Sequence, residues 1–196
     1  MNTPNKLTLA RMIATPVFMA VMLISFPYNY TVSLFLFIAA SLTDMIDGKM
    51  ARKNNMVTDF GKFMDPLADK MLTTAAYLGF MFVFRGADFA WHIVIINFIV
   101  LFREFAVSSI RLVAVSSGGE VVAANMWGKV KTVSQMLGII WALAVYAFNE
   151  FYTIPANIFT VLNIITIAFF WISAILCIIS GAIYIWGGRQ YISNAK

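Results

Sequence analysis

Nine acidic residues occur in the chain, and five of them, Asp44, Asp47, Asp59, Asp65 and Asp69, fall in one short stretch where an even spread would place about one. Asp44 and Asp47 stand at i,i+3 and Asp65 and Asp69 at i,i+4, so each pair projects from a single face if its segment is helical. Two helices joined by a short loop would aim four carboxylates at one point. Such a group cannot stay ionised at a hydrocarbon boundary without compensation, and divalent cations supply it. All-oxygen ligation, with Cys177 and His92 remote in sequence, suits Mg²⁺ or Mn²⁺ and disfavours zinc. The competing reading makes these residues helix caps and loop charges paired with Lys49, Arg52, Lys53 and Lys62. That reading serves one aspartate better than four at helical spacing.

Small residues flank the acids. Gly48 follows Asp47, Ala51 lies four residues after Asp47, and Gly61 lies four before Asp65, so backbone is exposed where a bulky ligand could approach. Arg52 adds a planar fork suited to a phosphate or diphosphate. Metals with an arginine imply a phosphorylated substrate.

The elements that position these residues follow from composition. Of 196 residues, 61% are hydrophobic and 12% charged, and the mean hydropathy is +0.83. A soluble domain carries about twice that charge, and disorder needs far less apolar content. A polytopic membrane protein remains, which makes the phosphorylated substrate a lipid. Six apolar stretches are legible, roughly 7–26, 31–43, 63–84, 91–115, 126–148 and 158–186. The second is too short to span unless it continues through Asp44 and Asp47, which places those carboxylates at a membrane edge. The first, with Pro16 and no small-residue cleavage site, is read as a retained helix preceded by a short interfacial segment. The expectation is an all-α protein of six transmembrane helices forming one membrane domain over 1–196. With both termini cytoplasmic, Arg85 is the one basic residue among 14 that falls outside.

The run Asp44-x2-Asp47-Gly48-x2-Ala51-Arg52-x8-Gly61-x3-Asp65-x3-Asp69 resembles the signature of the CDP-alcohol phosphatidyltransferases, membrane enzymes of phospholipid synthesis. The resemblance implies a six-helix, cell-membrane homodimer with its site open to the cytoplasm. Asp44, Asp47, Asp65 and Asp69 would hold two metal ions, and Gly48, Ala51, Arg52 and Gly61 would shape the nucleotide pocket. Asp69 would serve as general base toward the attacking alcohol.

The acceptor is addressed by other residues. Arg103 lies deep in the fourth stretch, about 18 Å along a helix that starts near Trp91, and a buried arginine needs an anion. Glu104 is adjacent but about 100° away around a helix, and is expected to be a poor partner. Lys129 and Lys131 can either join Arg103 and Arg111 on an acceptor phosphate or merely reach lipid headgroups. Arg103-Glu104 through Arg111, Trp127-Gly128-Lys129-x-Lys131-Thr132 and the opening Pro4-Asn5-x-Leu7-Thr8-x2-Arg11 are similar to the bacterial phosphatidylglycerophosphate synthases. That likeness implies CDP-diacylglycerol as donor, with Asn5 and Thr8 on the CDP-lipid side, and glycerol 3-phosphate as acceptor at Arg103, Arg111, Lys129 and Lys131. An inositol phosphate would satisfy the same cations. A cation transporter could also use intramembrane carboxylates, but it would place them near the midplane, often in repeated halves. His92 reads as interfacial, most Trp and Phe as lipid-facing, and Gly181, Gly187 and Gly188 as packing positions or the end of the last helix.

Overall fold

The computed structural model of the protein describes residues 3–53, 59–116 and 126–193, and among them every element is an α-helix. The helices are α1 (Thr3–Leu23), α2 (Asn29–Lys53), α3 (Asp59–Val83), α4 (Ala90–Ser116), α5 (Met126–Phe151) and α6 (Ala156–Ser193). All-helical structure is what lipid demands, because each backbone N–H and C=O must be satisfied within its own segment. Among the described residues, Asn5–Leu23, Ala90–Leu112, Met126–Phe151 and Ala156–Gly187 are long and apolar enough to cross a membrane. Asn29–Thr43 is a shorter apolar stretch. As its length requires, α2 continues without a break through Asp44 and Asp47 to Lys53.

α1 begins at Thr3 and carries Pro16 inside it. The proline ring removes one helical hydrogen bond, and Thr15 Oγ1 donates to the carbonyl of Arg11 at 2.9 Å in that same turn. One expectation changes: Gly187 and Gly188 do not end the last helix, because α6 runs on to Ser193.

The helices group into two compact units, Met1–Ala87 with Ile139–Asn163 and Asp88–Gly138 with Ile164–Lys196. In the first, α1 packs against both α2 and α3. Phe18 of α1 meets Phe37 of α2 with ring centroids 5.7 Å apart. At Gly79 of α3 a side chain would meet the sulfur of Met22, so the missing Cβ leaves room for that methionine between α1 and α3. Lipid gives no hydrophobic reward for helix association, and close contact of this kind replaces it. Phe18, Phe37, Phe80 and Phe84 are thus buried in this unit rather than lipid-facing, as Phe170 is in the second.

The turn between α1 and α2 is held by polar groups. Tyr28 takes a left-handed backbone conformation, φ 66°, and stacks on Phe151 at 5.0 Å. Asn29 Nδ2 donates to the Met22 carbonyl at 3.4 Å. Glu150 of α5 caps α2: Oε1 accepts from the Tyr30 amide at 2.7 Å, and Oε2 accepts from the Thr31 amide at 2.9 Å and the Thr31 hydroxyl at 2.6 Å. A carboxylate at a helix N-terminus satisfies orphan donors and opposes the helix dipole.

In the second unit His92 lies between two tryptophans. Its ring stacks on Trp91 at 3.7 Å, and its Nδ1 accepts from Trp171 Nε1 at 3.1 Å.

Candidate functional site

The buried face of α1 changes character along its length. Asn5, Thr8, Arg11 and Thr15 form its first half, at 6%, 1%, 2% and 3% exposure, and Phe18 and Met22 form the second. These positions recur at three- and four-residue steps, so they make one stripe. The Phe18–Phe37 contact sets the register against α2. Seven residues back along α1 is Arg11, and seven forward along the antiparallel α2 is Asp44; Thr8 likewise stands level with Asp47. The Met22–Gly79 contact does the same for α3, where eleven residues back reaches Ala68 beside Asp69. The polar half of α1 therefore lies at the height of the acidic pairs.

Asp44, Asp47, Gly48, Ala51 and Arg52 lie on α2 and Gly61 and Asp65 on α3, but their side chains are outside the described residues. Asp69 is described and half-buried, and it engages a neighbouring group. Thr73 Oγ1, one turn on, shares its hydrogen between the carbonyls of Asp69 and Lys70 at 3.3 and 3.2 Å. Asn5 and Thr8, expected on the CDP-lipid side, are on the buried stripe. Sequence reasoning counted Arg11 in the opening motif and among the topology-marking cations but gave it no role in the site. A signal existed in its spacing of three from Thr8 and six from Asn5, which places a guanidinium on the face that Asn5 and Thr8 define.

The second unit gathers the basic residues differently. Glu104 Oε1 accepts from Arg103 Nη1 at 3.0 Å and also from Lys131 Nζ. Arg103 Nη2 donates to Ser180 Oγ at 2.7 Å. Arg103 Nε is buried with no hydrogen-bond partner. The expectation that Glu104 is a poor partner is overturned. Its Cβ does diverge from that of Arg103, but both side chains are long enough to curl toward each other, and Lys131 draws the carboxylate inward. Arg103 and Lys131 are thereby brought together, whereas Arg111 and Lys129 are exposed. Gly181 is a packing position: a Cβ there would come within 2.8 Å of Arg103 Cγ. Cys177, one turn earlier on α6, is a buried free thiol.

The family model for CDP-alcohol phosphatidyltransferase matches residues 1–154. The chain belongs to the CDP-alcohol phosphatidyltransferase family. It is similar to the CDP-diacylglycerol--glycerol-3-phosphate 3-phosphatidyltransferase of Bacillus subtilis, at 46% identity over 70% of this chain and 74% of that one. The enzymes of the same name from Rickettsia bellii, 35% identical over 97% of each chain, and Salmonella typhimurium, 32% identical over 100% of this chain and 95% of its own, match nearly end to end. The family and the apolar helices together make this a membrane-embedded phosphatidyltransferase, which displaces the transporter reading of the aspartates.

Proposed function

We propose that this family member transfers the phosphatidyl group of CDP-diacylglycerol to glycerol 3-phosphate, giving phosphatidylglycerol phosphate and CMP. The observation that carries the donor half is the polar stripe of α1, with Arg11 fully buried, at the height where the signature aspartates stand on α2 and α3. The acceptor half is supported by the names of the long-matching relatives and by the unspent buried Nε donor of Arg103, which an incoming phosphate could use.

The donor set fits hard divalent cations: two pairs at helical spacing, all oxygen, on helices that α1 holds together. Asp44, Asp47, Asp65 and Asp69 would hold two Mg²⁺ or Mn²⁺ ions. When bound, these ions supply neutralisation of the diphosphate and of the departing CMP. The chain's own groups do the rest. Asn5, Thr8, Gly48, Ala51, Arg52 and Gly61 cradle the cytidine diphosphate, with Arg11 adding fixed positive charge from α1. Arg103, Arg111, Lys129 and Lys131 receive the acceptor's phosphate. Asp69 takes the proton of the attacking hydroxyl as its oxygen bonds to the phosphorus bearing diacylglycerol; the phosphorus–oxygen bond to CMP breaks, and CMP leaves with that electron pair. We place six spans in the membrane, both termini and the site on the cytoplasmic side, and two chains in the working enzyme.

The test is release of CMP by purified protein in detergent with CDP-diacylglycerol and Mg²⁺ or Mn²⁺, offering glycerol 3-phosphate, inositol 1-phosphate, inositol and serine separately. Release with glycerol 3-phosphate alone, abolished by EDTA, is the expected result. Release only with another alcohol overturns the acceptor, and release in EDTA overturns the metal requirement.

A further inference from the structure

The carboxylate of Glu104 stands where the acceptor reading has no use for it. An anion among cations meant for a phosphate competes with that phosphate, so its presence needs a reason. Its partners supply one. Through Oε1 it accepts from both Arg103 and Lys131, tying α4 to α5, while Ser180 of α6 accepts from the opposite nitrogen of the guanidinium at 2.7 Å. The stem of Arg103 crosses Gly181, where an added Cβ would come within 2.8 Å of Arg103 Cγ and push the stem aside. The Arg103 side chain is 13% exposed and that of Lys131 8%. Two flexible cations are thus fixed from three helices, and one donor, Arg103 Nε, is left unspent and buried.

Resting on the acceptor reading above, we propose that Glu104 is a positioning residue that, with Ser180 and the Gly181 gap, sets the spacing of Arg103 and Lys131 so that both meet one phosphate of the acceptor. Long basic side chains lose much rotamer freedom when they bind an anion. Glu104 meets that ordering cost before the acceptor arrives, in the way that preorganisation raises affinity.

The sign of one substitution decides the matter. Glu104→Gln removes a negative charge beside two positive ones, so electrostatics alone would strengthen phosphate binding and lower the acceptor KM. Positioning predicts the reverse: the acceptor KM rises about tenfold, with the CDP-diacylglycerol KM and kcat within about twofold of wild type. Gly181→Ala changes no charge and displaces the Arg103 stem; it should also raise the acceptor KM, by about fivefold, and it keeps the question open to test if Glu104→Gln fails to fold. An acceptor KM that falls or stays unchanged in Glu104→Gln overturns the proposal, as does an unchanged KM in Gly181→Ala. Arg103→Gln and Lys131→Gln, assayed alongside, separate the two claims. If they raise the acceptor KM while the other variants do not, only the positioning role fails; if none of the four moves it, the acceptor site itself fails.

Discussion

The two units handle charge in opposite ways. In the first, acids lead: the signature aspartates occupy α2 and α3, and Arg11 stands at their height on the buried stripe of α1. In the second, cations lead, and Glu104 between Arg103 and Lys131 accepts from both of their side chains. Glu150 sharpens the contrast. It belongs to the first unit and accepts two backbone amides at the start of α2, a task of helix capping with no free cation in it. A carboxylate bound by backbone cannot adjust its ligands, so its loss costs stability. One bound by mobile side chains directs them, so its loss is expressed in what those side chains bind.

Substitutions should divide accordingly. The largest effect falls on the acidic side: Asp44→Ala, Asp47→Ala or Asp65→Ala should lower kcat by a factor of about 1,000 or more, because a metal ligand is lost, read as CMP release at saturating substrates. Asp69→Asn should cut kcat about 100-fold or more while CDP-lipid binding persists, and an active variant across the pH range would reject Asp69 as base. Arg11→Lys keeps the charge but not the fork; kcat/KM for CDP-diacylglycerol should fall about tenfold, with the acceptor KM unchanged. On the basic side, Arg111→Ala should raise the acceptor KM about threefold to tenfold and leave the donor KM alone; equal effects on both would erase the division between units. The smallest kinetic effect belongs to Glu150→Gln, which should destabilise the folded protein by about 1–2 kcal/mol in detergent denaturation while both KM values hold.

Much of this was legible in sequence because it depended on local order. The i,i+3 and i,i+4 spacing of the aspartates survives as two helical stretches, and Thr43 marks the point where the apolar part of α2 gives way to acid. What was hidden depends on which helices become neighbours. Spacing around one helix separates Arg103 from Glu104, and only the arrival of Lys131 and Ser180 from α5 and α6 shows why they join. Arg11 read as a topology marker because its burial requires α2 and α3 at its flanks, and Gly79 gave no sign of the methionine that fills its place.

The cap on α2 also constrains the order of assembly. Glu150 is separated from Tyr30 by 120 residues, so the first amides of α2 cannot receive their carboxylate until α5 has emerged. At roughly 5–20 residues per second, a nascent chain waits on the order of ten seconds with that helix end open. During synthesis the hairpin of α1 and α2 must therefore rely on water, lipid headgroups or the insertion machinery to satisfy those amides. A chain released before residue 150 would carry Asp44 and Asp47 on a helix whose N-terminal end was never closed.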